Sequence, residues 1–320
     1  MNYFLLFLSV CANVAYSSFY NFFGKKVLKK GSDNYKINLL IYSVSIVFLV
    51  GIGLIKGLHV TLFTVLLGIL LGVAMALSSI FKLSALRCGS MSFTVLIITA
   101  SMIIPAFSGK VIWDEPLSIW KVIGTVMMLV AAYFSTEKQA SAEKKKQSTK
   151  WLIFSFLAFL CQGIIGVTQK FQQKATYKGS TPADQMAVFL IVAFISATLL
   201  CLVSYLITRA REKKQECAVV CKETGNTIES VNAQDGISPK VVILCTCVCA
   251  VFITFMHNIN LYLSGVLPSA FLFPVQNGGT TMVSVIVAMT LFREKISGRR
   301  IIGFCIALAA LIILALSELL

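Results

Sequence analysis

Amide and hydroxyl side chains recur at helical spacing inside long apolar runs of this sequence. Asn13 and Ser17 stand four residues apart, and Gln162, Gly166 and Gln169 form a similar stripe. Ser79 follows Ser78, the stretch "HNIN" supplies His257, Asn258 and Asn260, and "PVQNGGTT" supplies Gln276, Asn277 and Thr280. Four-residue steps put side chains on one helix face. Such groups in an apolar helix turn toward protein or water, because lipid offers them no partner. Facing one another, they would hold a small polar solute by hydrogen bonds. Ser and Thr also serve as glue between membrane helices. The adjacent pairs Gln276–Asn277 and His257–Asn258 exceed what glue requires. We therefore take Asn13, Ser17, Ser79, Gln162, Gln169, His257, Asn258, Gln276, Asn277 and Thr280 as candidate substrate contacts.

The acids argue by position. The chain has 13 Asp and Glu, and none falls in the middle of an apolar run. A cation–proton antiporter would need a carboxylate in the membrane to offset the buried charge of its ligand. The pattern favours a neutral, zwitterionic or anionic solute. His257 is the one group there whose charge can change near neutral pH. Lys82, Arg87 and Lys170 stand near run ends, where a long side chain reaches the interface by snorkelling.

Other chemistries lack their motifs. No H-E-x-x-H, G-x-S-x-G or phosphate-loop pattern is present, so no enzyme activity is expected. No metal or cofactor is expected either. The string "CTCVC" puts Cys245 and Cys249 on one helix face and Cys247 on another, which is not a ligand set.

The elements that must position these residues are membrane spans. Hydrophobic residues make up 58% of the 320, charged residues 13%, and mean hydropathy is +0.86, well away from the balance of a soluble domain. Ten spans fit at about 3–23, 37–55, 60–81, 91–112, 118–136, 151–172, 183–208, 241–263, 267–292 and 300–317. The expected fold class is therefore an all-α multi-pass membrane protein, placed in the cell membrane. The net charge of +15 comes from short basic runs between spans, such as "KKVLKK". These suit lipid headgroups and topology rather than nucleic acid. The expected partners are a small-molecule substrate and the lipid bilayer.

The chain also repeats itself. "DEPLSIWKVIG" and "REKISGRRIIG" align Glu115 with Glu294, Ser118 with Ser297, and Gly124 with Gly303, at an offset of 179. Earlier in the chain an offset of 149 aligns Asn13 with Gln162 and Lys25 with Lys174. The difference of 30 matches an insertion at 209–239, a polar stretch expected to be a mobile loop. The expected organisation is a five-span unit at 1–136, a charged linker at 137–150, and a second five-span unit at 151–320. An odd number of spans per unit makes the second enter the membrane from the opposite side, giving inverted repeats around a central site. Ser118 and Ser297 are expected to cap the last span of each unit, and Pro274 with Gly278 and Gly279 to loosen the ninth span.

A Glu after the fourth span, then Ser, a basic residue and "IG" opening the fifth, written twice, resembles the EamA-type drug/metabolite transporter superfamily. The resemblance spans all but 209–239. It implies secondary transport of a small metabolite or drug through a central cavity; a membrane scaffold or membrane-embedded enzyme is the alternative. The family habit puts both termini in the cytoplasm. The charge count points the other way: 22 of the 28 Lys and Arg lie in the odd-numbered connections, which the positive-inside rule places in the cytoplasm.

Overall fold

The computed structural model describes residues 1–27, 31–89, 91–135, 149–175, 182–222, 239–290 and 297–318. Among them all regular structure is helical. The helices are α1 (Asn2–Val27), α2 (Gly31–Lys56), α3 (Leu62–Cys88), α4 (Met91–Thr99), α5 (Ile103–Trp113), α6 (Ile119–Ser135), α7 (Thr149–Lys174), α8 (Pro182–Lys222), α9 (Pro239–Val266), α10 (Ser269–Thr290) and α11 (Gly298–Leu316). Among the described residues, nine segments are long and apolar enough to cross a membrane, with α4 and α5 counted as one, and α6 is a shorter apolar helix. This is the architecture of a multi-pass membrane protein.

The fourth span is broken. A tight 3-10 turn at Ala100–Met102 separates α4 from α5. Pro105 accounts for the break: it has no N–H, and its ring crowds the carbonyl four residues back, that of Ser101. Pro274 was expected to have a similar effect, but α10 runs unbroken through it. Gly278 and Gly279 do not loosen α10; they let neighbours approach. A Cβ on Gly278 would lie 2.0 Å from the Met128 sulfur of α6, and one on Gly279 would meet Val10 of α1 at 3.3 Å.

Contacts at helix ends fix which helices run together. Tyr3 meets Phe271, ring to ring at 5.7 Å, near the starts of α1 and α10. Phe19, late in α1, stacks on Phe252 of α9, while Ser9, early in α1, bonds Asn260 further along α9. So α1 runs with α10 and against α9. Thr64 opens α3; it bonds Gln185 at the start of α8 and accepts from Gln172 at the end of α7 at 3.1 Å. Gly163 and Gly166 of α7 pack on Ile104 and Pro105, and Trp151 donates to Thr94 at 2.8 Å, so α7 runs with α4–α5. Lys121 at the start of α6 pairs with Glu318 beyond α11 at 2.7 Å, and Arg299 at the start of α11 donates to the Tyr133 carbonyl at 3.2 Å. Those two helices are antiparallel.

The hinge and insertion differ in part from expectation. Ser118 accepts from the Trp120 N–H at 3.3 Å, a capping bond for α6. Ser297 stands at the cap position of α11, but its hydroxyl makes no capping bond there. Glu294 lies outside the described residues, as do 136–148, most of the expected linker; Thr149 and Lys150 already belong to α7. The expected loop 209–239 begins as helix instead. α8 continues to Lys222, giving 41 residues. At 1.5 Å per residue that is about 60 Å, roughly twice the hydrocarbon thickness. The stretch "REKKQECAVVCK" is rich in good helix formers, which outweighs its polarity. Residues 223–238 lie outside the described residues.

The extension has a task. Both oxygens of Glu212 reach Ser32, accepting from its N–H at 3.0 Å and its hydroxyl at 2.6 Å. Free N–H groups and the positive end of the dipole at the start of α2 attract that carboxylate. Glu212→Ala should lower thermal stability by about 1 kcal/mol, whereas removing 223–236 should leave the melting temperature unchanged in the same assay. Equal effects of the two changes would mean that Glu212 does not tie α8 to α2.

Candidate functional site

Two apolar cores form. One joins parts of α1, α2, α3, α8 and α9, around Ile41, Leu71, Phe194 and Leu261. The other joins parts of α1, α6, α9, α10 and α11, around Met128, Leu272 and Leu314. Between them lies a cavity of about 220 Å³, lined from α1, α2, α3, the α4–α5 break, α7, α9 and α10. Met75, Ile253 and Met256 reach it from the first core, and Met102 and Phe273 from the second. Lining residues such as Tyr42, Met75 and Ser101 fall near the middles of their spans, while Gln169 and Phe273 lie nearer an end.

Seven of the ten candidates line this cavity: Asn13, Ser79, Gln162, Gln169, His257, Gln276 and Asn277. Three do not. Ser17 lies one turn beyond Asn13, off the wall. Asn258 turns its amide back onto the Thr254 carbonyl at 2.9 Å. Thr280 stands behind the wall and accepts from the Asn13 amide at 3.1 Å. The sequence reading missed Tyr16, Tyr42 and Ser101 and passed over Asn260, all of which line the cavity. Asn260 was visible in "HNIN", three residues after His257 and so on its face. Ser101 carries a signal in hindsight, since it stands four residues before Pro105.

Several amides have one end tied and the other left for the cavity. The Thr280 hydroxyl donates to the Gln276 carbonyl at 2.7 Å, so its oxygen can only accept from Asn13. That fixes the Asn13 nitrogen outward and leaves its carbonyl free. Asn277 donates to the Phe273 carbonyl at 3.1 Å and likewise keeps its carbonyl. Gln162 accepts from Ser78 at 3.0 Å and keeps its amino group. The Gln276 side chain has no hydrogen-bond partner among the described residues. His257 packs edge-on against Phe194 at 5.6 Å, with Nδ1 3.4 Å from the Gln169 amide nitrogen. The wall therefore presents both donors and acceptors, and no Asp, Glu, Lys or Arg among the described residues lines it.

Lys170 departs from the snorkelling expectation. Its side chain is 1% exposed and pairs with Glu115. The Lys170 ammonium also donates to the Leu267 carbonyl at 3.0 Å, and the second Glu115 oxygen accepts from the Ser269 N–H at 2.8 Å. Lys82 and Arg87 are exposed. Among the described residues no group of His, Cys, Asp and Glu is placed to hold a metal ion.

No family model matches the chain, and no curated protein does. Among solved structures, a crystal structure of a protein not otherwise described superposes on it with a TM-score of 0.66 at 13% identity, covering 98% of this chain and 96% of its own. At that identity the likeness concerns the fold alone: this chain is similar, over nearly its whole length, to an experimentally known fold.

Proposed function

We propose that the protein is a secondary transporter of the EamA type, carrying a small uncharged or zwitterionic metabolite by alternating access through the central cavity. The observation that carries this reading is the polar cavity enclosed among the spans, lined from both sequence halves by amides, hydroxyls and one imidazole. The sequence alone left room for an anionic solute. A wall without Lys or Arg gives an anion no opposing charge, and its desolvation would go uncompensated.

Two inverted five-helix halves would supply the moving parts. Pairing spans one to five with six to ten matches α1 with α7, α2 with α8, α3 with α9, α4–α5 with α10, and α6 with α11. Packing follows that exchange: α1 lies on α9 as α7 lies on α3, and α1 lies on α10 as α7 lies on α4–α5. Each paired helix also runs opposite to its mate in the contacts described above. Residue contacts exchange too. A Cβ on Gly124 would strike Leu314, and one on Gly303 would strike Ser135. At the offset of 179, Gly124 corresponds to Gly303 and Ser135 to Leu314, the exchange of contacts that a two-fold axis between the halves would produce. Halves related in this way can rock around a fixed central site.

A catalytic reading finds less support. His257 faces Gln169 rather than a hydroxyl or thiol, which leaves no activated nucleophile there. The test is flux into proteoliposomes from a mixture of neutral and zwitterionic metabolites, read by mass spectrometry against protein-free vesicles. Saturable uptake of at least one solute is expected. Uptake of none, or chemical conversion in place of uptake, would overturn the proposal.

A further inference from the structure

Gln169 lines the cavity, and the next residue, Lys170, forms the buried ion pair with Glu115. The pair joins three separate parts of the chain. Lys170 is on α7, and Glu115 is in the connection between α5 and α6. Through Leu267 and Ser269 both charges also hold the turn between α9 and α10. Two aromatic rings seal the flank, Trp113 packing edge-on against Phe171 at 4.9 Å. We propose that Glu115 and Lys170 form a charged latch that closes this end of the cavity, and that its release lets the α5–α6 connection part from the end of α7 and the α9–α10 turn.

Three observations carry the proposal. First, the latch crosses between elements that share no covalent connection shorter than a whole span, so it is a bond that relative motion of the halves must break. Second, the closed end is incompletely satisfied. The Ser269 hydroxyl and the Gln173 amide nitrogen are buried there without hydrogen-bond partners among the described residues. Each such group would gain a partner where opening admitted water. Opening is thus favoured by the orphaned groups and opposed by the ion pair, the balance a two-state element requires. Third, the latch has no full counterpart. At the repeat offsets Glu115 corresponds to Glu294 and Ser269 to Ser90, but Lys170 corresponds to Asn21. At the matching positions the other half keeps the acid and the serine and lacks the cation, so the sequence does not repeat the latch.

The latch rests on the transporter reading for its purpose, but its test does not need flux. Amide hydrogen exchange of the full chain in lipid nanodiscs would be compared for wild type, Glu115→Gln, Lys170→Met and Lys170→Arg. The two neutral variants should exchange at least tenfold faster over 163–174 and 262–273, with α2 and α8 unchanged and the melting temperature within a few degrees. Lys170→Arg keeps the charge and should stay close to wild type. Gly109→Ala is a second route, because its Cβ would come within 2.4 Å of a Glu115 oxygen and displace the carboxylate without removing it; it should give the same local opening. Unchanged exchange in these segments, or a uniform rise across all helices with a fall in melting temperature, would overturn the latch. Saturable flux with no local opening in the variants would sink the latch alone. Local opening without flux of any solute would sink the transporter reading alone.

Discussion

Gly72→Ala should deplete the folded protein, while the same change at Gly51 should stabilise it. Both glycines sit inside apolar helices, and sequence alone does not separate them. A Cβ on Gly72 of α3 would lie 2.0 Å from the Ser196 hydroxyl and 2.1 Å from the Ala193 carbonyl of α8. A hydroxyl can rotate away; a carbonyl held in a helix cannot. α3 must then retreat from α8 along its length, and overpacking of this kind reaches about 3 kcal/mol. That is a large share of a total stability of roughly 5–15 kcal/mol. A Cβ on Gly51 meets nothing within 4 Å, so Ala there gains only its better helix propensity, up to about 1 kcal/mol. Thermal unfolding in detergent, followed by the monodisperse fraction, would read both. A Gly72→Ala protein as stable as wild type would mean that α3 and α8 do not pack as described.

The spans were legible because a membrane helix is specified by composition over about twenty residues, a signal that survives errors of a few positions. Their ends were less so. α2 begins at Gly31 rather than 37, since a polar first turn carrying Asp33 is a good helix start. α8 outruns its apolar stretch because propensity, not hydropathy, sets where a helix stops outside the bilayer. The cavity was half legible. Amides such as Gln162 and Gln276 announce themselves inside apolar runs. Tyr16 and Tyr42 do not, because an aromatic in a span suits lipid, core or cavity equally well. Lys170 was misread for a related reason. Its sequence position is that of a snorkelling lysine, and its partner Glu115 is separated from it by two helices, so only tertiary structure shows the pair. The sequence points to Pro274 as a site that loosens its span, yet the break lies at Ala100–Met102 before Pro105 and α10 runs through Pro274.

Gln276→Ala should produce the largest loss of transport of any single amide change, with insertion and folding preserved. The side chain is nearly buried, at 9% exposure, lines the cavity, and has no partner among the described residues for either end of its amide. Its removal therefore breaks nothing in the resting protein. A bound polar solute would lose a hydrogen bond and keep an unpaired group in a dry site, a cost of about 1–3 kcal/mol, or roughly 5- to 150-fold in apparent affinity. Asn277→Ala should cost less transport and some stability, because its amide also holds the Phe273 carbonyl at 3.1 Å, the carbonyl four residues back that α10 offers beside Pro274. Asn258→Ala is the control. That residue was an equal candidate by sequence, but its amide is spent on Thr254 and it lies off the cavity wall. Its flux should match wild type. His257→Gln keeps a hydrogen-bonding group beside Gln169 but cannot change charge, so any pH dependence of flux that arises in the cavity should disappear. The informative measurement is the concentration dependence of uptake for each variant at matched protein density in the vesicles. Wild-type curves for Gln276→Ala and Asn277→Ala would mean that the solute does not bind these amides. A loss at Asn258 equal to that at Gln276 would mean that the solute passes along a different face of α9.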